Sequence, residues 1–305
     1  MDQPESVAPP RVHGVLVTYR RPIDLAKTLR VLFEQTRPPD TLVVVDNDAS
    51  CSARPIVDAY PLAVYVAAGD NLGPAGGLAL GVAAALPHAE DDDWILLLDD
   101  DDPPMHAEQL AQLYEFAGRV SSKDSRIGAV GLVGARYNAR RGRNERVGDS
   151  DLHGVVRVDS IGGNQLPMYR ARAVRGVGVP DAALFFGLDD LEYGLRFVAA
   201  GWTIVVDGDE WRRLRAGHCR VGLTGGQLRV ETLLSPWRSY YASRNMIVIA
   251  RRFGGARGFL SSSGICVGKL ARALLQSQRR STAPMIAKGC IDAWLARGGR
   301  RVDPS

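Results

Sequence analysis

Four short apolar runs, separated by polar turns and helical repeats, dominate the first hundred residues. They are "RVHGVLVT", "TLVVVD", "LAVYVAA" and "WILLLD". Strands without polar interruption are typical of a sheet that is covered on both faces. Between them, "PIDLAKTLRVLF" and "GGLALGVAAALPHA" carry apolar and small residues at helical spacing. The pattern predicts an α/β fold with a mainly parallel sheet flanked by helices.

Polar side chains follow each of these four predicted strands. In open α/β sheets, ligands bind beyond the carboxyl ends of the strands, and parallel neighbours end at the same edge. We therefore expect one ligand site built from all four ends. The residues concerned are Thr18–Arg20, Asp46–Asp48, Asp70–Asn71 and Asp99–Asp102.

The fourth strand runs into four consecutive aspartates and then two prolines, in "WILLLDDDDPP". Carboxylates this close together repel one another, so the stretch is either a solvated turn or the site of a cation. Acidic runs are usually solvated turns. The polar ends of the neighbouring strands favour the cation.

A second acidic pair lies at a predicted helix start in the other half of the chain. In "FFGLDDLEYGLRFVAAGW", Asp189 and Asp190 precede a helix with apolar residues on one face. The helix dipole favours carboxylates at such a position, which is the simplest explanation for them. Beyond it, "WTIVVDG" predicts a strand and "LRAGHCR" a loop that carries His218. The last 70 residues contain further helical stretches.

Composition narrows the class of protein. The chain has 305 residues, of which 46% are hydrophobic and 24% charged, as in an ordinary soluble protein. Its four cysteines are scattered without a C-x-x-C pair, which argues against a zinc cluster or disulfide framework and favours reduced thiols in a cytosol. The N-terminus lacks an apolar signal core, and no apolar run approaches the roughly 20 residues that span a bilayer.

Charge is divided unevenly along the chain. The net charge of +4 combines +9 from residue 251 onward with −5 from residues 1–250. A basic tail on an acidic body suits a phosphate-rich surface. Nucleic-acid binding is not expected, because the tail contains no recognised nucleic-acid-binding module.

Several fragments, in this order, resemble the family-two glycosyltransferases, an inverting family with the GT-A nucleotide-sugar fold. They are "VLVTYRR", "LVVVDNDAS", "DNLGPAGGLALG", "LLLDDDD", "FFGLDDLEYGLRFVAAGW", "GH" at 217–218 and "WRSYYASRN". The resemblance covers about Val12 to Phe253. It is nearest to bacterial galactofuranosyltransferases and rhamnosyltransferases. It implies a catalytic domain over 11–235 and a basic, mainly helical segment over 236–305.

The resemblance implies a role for the aspartate run. Asp99 and Asp101 match the family's D-x-D, so they are expected to hold Mn²⁺ or Mg²⁺, which prefer hard oxygen ligands. Asp99 and Asp100 are expected to contact the donor. His218 matches a histidine that completes the metal shell or contacts the diphosphate. The preceding "WRRLRA" departs from the apolar residues that the family often has there.

The same resemblance implies a nucleoside pocket at the neighbouring strand ends. Asp46 is expected to hold the base or ribose, and its alternative role is to cap an Asx turn. Thr18 and Tyr19 would line the pocket or simply end a strand. Asn71 and Gly73 match a loop beside the base and diphosphate, and their glycine spacing is not that of a Rossmann fingerprint.

Asp190 matches the family's general base, which removes the acceptor proton. The neighbouring carboxylates Asp189 and Glu192 could raise its pKa; helix capping is the alternative. The aromatic and polar stretch that follows Ser235 matches family residues near the diphosphate and acceptor, and core packing is the alternative for part of it. The residues that the resemblance places near the acceptor or diphosphate are Asp189, Trp237, Tyr240, Tyr241, Arg244 and Asn245.

Two rival functions remain at this point. A sugar-nucleotide pyrophosphorylase uses a similar sheet, but its glycine-rich loop after the first strand has no counterpart in "VTYRRPIDLAKTL". A non-catalytic sugar-nucleotide-binding or Ca²⁺-binding module would not need Asp190 in its motif. Transfer of galactofuranose, or of rhamnose next, to a cell-envelope glycan or polyprenyl-diphosphate-linked acceptor is the favoured activity.

The basic tail predicts a surface helix for an anionic membrane. In 259–275, apolar residues form a stripe along one side of the predicted helix, and basic residues lie beside it. A second stretch with the same pattern follows in 283–301. Interfacial helices have this pattern. The alternative is that these helices pack on the catalytic domain. We expect a cytoplasmic protein that is peripheral on the inner face of the plasma membrane.

Overall fold

The computed structural model describes residues 9–217 and 235–304. These residues form eleven strands and nine helices. The strands are β1 Val12–Thr18, β2 Thr41–Asp46, β3 Ala63–Ala67, β4 Trp94–Asp99, β5 Ile127–Gly131, β6 Gly134–Asn138, β7 Arg143–Glu145, β8 Val155–Val158, β9 Ser160–Ile161, β10 Met168–Arg170 and β11 Thr203–Asp207. The helices are α1 Pro22–Phe33, α2 Arg54–Val57, α3 Gly73–Ala85, α4 Gln109–Ser121, α5 Ala171–Val177, α6 Asp189–Ala199, α7 Gly208–Gly217, α8 Pro236–Leu275 and α9 Ala283–Trp294. Short 3₁₀ turns lie at Leu86–His88, Asp149–Asp151, Ala182–Leu184 and Ser277–Thr282.

Eight strands form one sheet in the order β3-β2-β1-β4-β10-β5-β11-β8. The neighbours β3, β2, β1 and β4 are parallel, as are β5 and β11. β10 and β8 run antiparallel to the strands beside them. A small antiparallel sheet joins β7, β6 and β9. The predicted α/β fold with a mainly parallel sheet and a helical C-terminal segment is confirmed.

Both faces of the large sheet are covered, which explains its uninterrupted apolar strands. Leu96 and Leu98 of β4 pack in one buried cluster with Leu29 of α1. Leu97, between them in sequence, lies in the cluster on the other side with Val82 of α3. Successive side chains of a strand point to opposite faces, so a strand between two helical layers must be apolar at every position.

The carboxyl ends of β1 to β4 meet at one edge of the sheet. The register pairs Thr18 with Asp46, Val17 with Asp99, and Asp46 with Ala67. The polar residues that follow these strands are therefore neighbours in space. This is the arrangement that the sequence predicted.

One local prediction is wrong. The stretch expected to be a loop before His218 is helical as far as Gly217. Trp211 of α7 is buried in the core, and Arg215 pairs with Asp149, so this helix has both an apolar and a charged anchor. His218 itself lies outside the described residues.

The C-terminal segment begins with the long helix α8. Its one non-helical position is Gly255, where φ is 57° and two helical stretches meet at a kink. Both stretches pack with α9, and Ile247 of the first stretch, Cys266 of the second and Ala293 of α9 are buried in one cluster. The division into domains near residue 235 stays a prediction. Among the described helices, none is long and apolar enough to cross a bilayer.

Candidate active site

A cavity of about 670 Å³ lies at the polar edge of the sheet. Most residues predicted for the site line it, and they come from five separate parts of the chain. The predicted residues that line the cavity are Thr18, Tyr19, Asn71, Gly73, Asp99, Asp100, Asp101, Asp189, Asp190 and Trp237.

Asp100 is the most firmly held member of the aspartate run. It is buried, and its carboxylate accepts hydrogen bonds from the Thr18 hydroxyl at 2.7 Å and from Arg21 at 3.3 Å. The Thr28 hydroxyl donates to its carbonyl oxygen at 2.8 Å. Arg21 also pairs with Asp101. The first helix thus fixes the turn that follows β4.

Asp99 carries a charge that these contacts do not compensate. Burial, and then the charges of Asp101, Asp100, Asp102 and Asp190, raise its pKa to about 6. A group in this position binds a cation favourably, because a cation offsets both the desolvation and the repulsion.

Asp189 and Asp190 open helix α6 on the opposite wall of the cavity. Burial, followed by the charge of Asp190, raises the pKa of Asp189 to about 7. Burial also raises the pKa of Asp190, although its carboxylate accepts hydrogen bonds from the backbone of Leu191 and Gly163. A Cβ on Gly163 would lie 4.0 Å from the Asp99 carboxylate, so the 163 turn separates the two acidic groups.

The carboxylates suit a divalent cation that takes its remaining ligands from a bound substrate. Within residues 9–217 and 235–304, no three His, Cys, Asp or Glu side chains converge on a metal site. Mg²⁺ typically uses only one or two carboxylates, and substrate phosphates and water complete its shell. Asp99 and Asp101 can supply that pair, although Asp101 would have to share its carboxylate with Arg21.

Asp46 does not line the cavity. It is fully buried, and its carboxylate accepts hydrogen bonds from the amides of Asp48 and Ala53 and from the Tyr65 hydroxyl. These bonds organise the turn after β2, which is the capping role that the sequence left as the alternative. The next residue, Asn47, lines the cavity instead.

The loop before α3 forms a further wall of the cavity. The Asn71 side chain accepts a hydrogen bond from the Gly73 amide at 2.9 Å, and Asn47 donates to the Gly73 carbonyl at 2.9 Å. Gly73 has φ of 69°, and a Cβ there would clash with the Phe185 carbonyl oxygen. Glycine is required at this position for both reasons.

The segment from Phe185 to Leu188 leads directly to the acidic pair and is strained. Phe185 and Leu188 have backbone φ angles of 59° and 63°, which residues other than glycine rarely adopt. Each such residue costs about 1–3 kcal/mol and persists only where its surroundings hold it. Arg244 and Asn245 hold it here, because they donate to backbone carbonyls of residues 183–187.

Arg244 and Asn245 therefore do not face the cavity as predicted. Both are buried, and the donors of Arg244 also reach the Gly299 carbonyl and the Asn245 side chain. Tyr240 is likewise buried, and its hydroxyl donates to Asp292 at 2.7 Å. The core-packing alternative describes these three residues. Trp237 does line the cavity and packs edge-on against Phe186 at 4.6 Å.

Sequence reasoning missed several residues that line the cavity. Arg21 and Asn47 follow predicted strands, so the polar-end pattern could have included them. Tyr169 of the antiparallel strand β10 was not among the predicted site residues. Arg238 stacks over Trp237 and Phe186, and no local pattern signals its exposure to the cavity.

The sequence profile described as "Glycosyltransferase like family 2" matches residues 9–212, which include the acidic residues at both walls. The chain belongs to this family. Its relatives include the galactofuranosyltransferases GlfT1 of Mycobacterium tuberculosis, 36% identical over 200 residues, and of Mycolicibacterium smegmatis, 37% identical over 203 residues. Each match covers 62% of this chain and 65% or 66% of the relative. The chain thus spans just under two thirds of these family-two relatives.

Solved structures agree on the architecture of this family-two chain. Residues 1–349 of TarS from S. aureus superpose with a TM-score of 0.51 at 15% identity, covering 93% of this chain and 80% of that one. TarS in complex with UDP-GlcNAc gives 0.52 at 15% identity, with coverages of 93% and 81%. Identity this low shows the shared GT-A fold alone.

Proposed function

We propose that this chain is an inverting, metal-dependent glycosyltransferase that takes its sugar from a nucleotide diphosphate donor. The observation that carries the proposal is the pairing, in one cavity, of Asp190 on α6 with Asp99 at the end of β4. One carboxylate lies on the sheet edge where family-two enzymes would bind a donor. The other opens a helix on the facing wall, where an acceptor would enter.

Asp190 is the proposed general base. It takes the proton from the acceptor hydroxyl while that oxygen forms a bond to the anomeric carbon, and the bond from this carbon to the diphosphate oxygen breaks. The diphosphate leaves on the opposite face, so the configuration inverts. A base works best when its pKa lies near the working pH, and burial raises the pKa of Asp190 in that direction.

Asp99 and Asp101 are the proposed ligands of Mn²⁺ or Mg²⁺, with His218 as a further ligand outside the described residues. When bound, the ion neutralises charge on the leaving diphosphate. Thr18 and Arg21 hold the turn that presents Asp99, through their bonds to Asp100. Tyr19, Asn47, Asn71 and Gly73 are proposed to bind the nucleoside and diphosphate, with Asn47 in the place first expected for Asp46.

The donor is proposed to be UDP-galactofuranose, with dTDP-rhamnose next. Support comes from the galactofuranosyltransferases GlfT1, which match 62% of this chain at 36% and 37% identity. The acceptor is proposed to be a cell-envelope glycan carried on a polyprenyl diphosphate. Family membership argues against the pyrophosphorylase alternative, and Asp190 in the cavity argues against a non-catalytic binding module.

The C-terminal segment is proposed to attach the enzyme to an anionic membrane surface. Leu260, Val267 and Leu274 are each more than half exposed and recur every seven residues on α8. On α9, Trp294 is 54% exposed beside Phe259. Other residues of the predicted stripes, such as Leu270, pack inside the segment, so only part of each stripe is available to lipid. The proposed location is the cytoplasmic face of the plasma membrane.

A panel of nucleotide sugars tests the proposed activity. The full chain is mixed with each donor and Mn²⁺ or Mg²⁺, and release of the nucleoside diphosphate is measured with and without EDTA. We expect metal-dependent release from UDP-galactofuranose above that from UDP-glucose or dTDP-rhamnose. Release from UDP-glucose alone would overturn the proposed donor. No release and no thermal stabilisation by any donor would overturn the proposed function.

A further inference from the structure

The chain continues after α9 to the cavity without a further helix or strand. Ala296 and Gly299 in this segment have φ of 53° and 76°, in the left-handed region. We call residues 298–304 the strap. Its Pro304 lines the same cavity as Asp99 and Asp190.

The strap is fixed along its length by contacts with α8 and the strained 183–187 segment. The Gly299 amide donates to the Ala183 carbonyl at 2.6 Å, and the Gly299 carbonyl accepts from Arg244 at 2.6 Å. The Tyr241 hydroxyl donates to the Val302 carbonyl at 2.8 Å. Val302 also packs in the aromatic cluster that contains Phe185. The strap is therefore packed against the rest of the fold by hydrogen bonds and an apolar contact.

One side chain of the strap reaches the loop that carries Asn71 and Gly73. Arg300 pairs with Asp70 at 3.1 Å and points a donor at the Asn71 carbonyl at 3.5 Å. Asp70 in turn accepts a hydrogen bond from the Asn71 amide at 2.7 Å. The pair joins positions 230 residues apart in sequence.

The tip of this loop has little other support. Asp70 is 74% exposed at its side chain, and a Cβ on Gly69 would meet no atom within 4 Å. The base of the loop has more contacts: the Asn47 side-chain amide donates to the Gly73 carbonyl, and the backbone amide of Ala75 donates to the Phe185 carbonyl. A segment with few buried contacts opens easily, so the Arg300 bridge acts where the loop is weakest.

We propose that the strap completes the donor cavity and that Arg300 is a positioning residue, which holds the 69–73 loop in the conformation that receives the donor. This inference rests on the proposed function for the identity of the ligand. Positioning before binding raises affinity, because less ordering remains when the ligand arrives. Arg300 acts through Asp70 and Asn71, so it sets the KM for the donor and leaves kcat unchanged.

Three substitutions in the full chain test the proposal, with UDP and Mn²⁺ as the probe in calorimetric titrations. Arg300→Ala and Asp70→Asn should each weaken binding by about 2- to 5-fold, which corresponds to an exposed ion pair. The double variant should be no weaker than Arg300→Ala, because that substitution already removes the contact with Asp70, together with those to the Asn71 carbonyl and Asp303. Arg136→Ala is the matched control. It removes a similar exposed pair, Arg136–Asp151 at 3.3 Å, away from the cavity, and should bind as the wild type does.

Hydrogen exchange without ligand separates this inference from the proposed function. Amides of residues 69–77 should exchange faster in Arg300→Ala than in the wild type or Arg136→Ala, with an unchanged melting temperature. Equal exchange in all three proteins would overturn the inference, whatever the ligand is. Failure of the wild type to bind any nucleoside diphosphate, with faster exchange in Arg300→Ala, would instead overturn the proposed function. With an active donor, a change in kcat without a change in KM would also overturn the positioning role.

Discussion

The side-chain amide of Asn245 lies 2.8 Å from the carbonyl oxygen of Gly187, three residues before Asp190. The same nitrogen reaches the carbonyls of Leu184 and Phe186 at 3.0 Å. Asn245 is fully buried, while Phe186 and Gly187 are half-buried. One buried side chain of α8 thus holds the strained turn that delivers the acidic pair to the cavity.

Asn245→Ala should destabilise the protein and disturb the site together. The variant removes the side-chain donor from the half-buried carbonyls of Phe186 and Gly187, whereas the Leu184 carbonyl keeps Arg244; a loss of about 1–3 kcal/mol is expected, which urea unfolding can measure. Ser243→Ala, a buried position on the same helix, is the control. If both variants unfold at the same urea concentration, Asn245 does not hold the turn.

Asp99→Asn and Asp101→Asn should each abolish the metal-dependent part of nucleotide binding while the fold survives. The reason is that an amide cannot replace the charge of a carboxylate ligand. Titrations of UDP with and without Mn²⁺ measure the effect. Asp102→Asn, in the same acidic run, is the control and should retain metal dependence. Wild-type binding by both cavity variants would place the metal elsewhere.

Asp190→Asn should keep the affinity for donor and metal but lower transfer by at least about 10²-fold, the lower range for loss of a general base. Single-turnover transfer and UDP titration, on the same preparation, separate the two effects. Asp209→Asn, which changes a first-turn aspartate on α7, is the control. Turnover near the wild-type rate would exclude Asp190 as the base.

Asp189 should make folding stability depend on pH. Its pKa is raised to about 7 by burial and then by Asp190, so the folded protein retains a proton that the unfolded chain releases above the ordinary value of 3.8. Its contribution is therefore present at low pH and is lost as the pH rises toward about 7. Without metal, Asp189→Asn should gain stability relative to the wild type over this range.

Asp124 provides a control of opposite sign for that experiment. Hydrogen bonds from the Arg126 backbone and side chain lower the pKa of Asp124. Asp124→Asn should therefore lose stability relative to the wild type as the pH rises toward the ordinary carboxyl value of 3.8, and the difference should stay constant above it. Melting temperatures at pH 2 to 7 measure both variants. Parallel curves for Asp189→Asn and the wild type would contradict the assigned shift.

Membrane attachment should depend on the exposed apolar residues of α8. Val267→Asp with Leu274→Asp should reduce co-sedimentation with anionic vesicles by about tenfold, since it replaces apolar contacts with charge. High salt should weaken binding by the wild type, because basic residues contribute about 1 kcal/mol each near an anionic leaflet. Ile23→Asp changes an exposed apolar residue on α1 and is the control. Equal binding by all proteins, or none by the wild type, would contradict the attachment.

The sequence by itself determined the sheet and the position of its polar edge. Apolar runs and turn residues are local, and they fix where each strand ends, so Thr18 and Asp99 were predicted at the edge where they line the cavity. Asp190 was assigned to the site by the family resemblance, because its local pattern indicated only a helix start. The distinction between Asp46 and Asn47 was not local. Adjacent side chains at a strand end point to opposite sides, and only packing decides which side faces the cavity.

Tertiary structure alone decided the roles of the C-terminal residues. The sequence "WRSYYASRN" is compatible with two roles for its polar side chains: they could face a ligand, or they could bond to buried carbonyls. Arg244 and Asn245 are about 60 residues beyond the turn that they hold, and Arg300 is 230 beyond Asp70. The bonds of Arg244 and Asn245 form because folding takes backbone carbonyls distant in sequence out of water, where each needs a partner. The exposed pair of Arg300 and Asp70 forms because folding places the C-terminal strap beside the 69–73 loop. Nothing in the local sequence specifies which partner that will be.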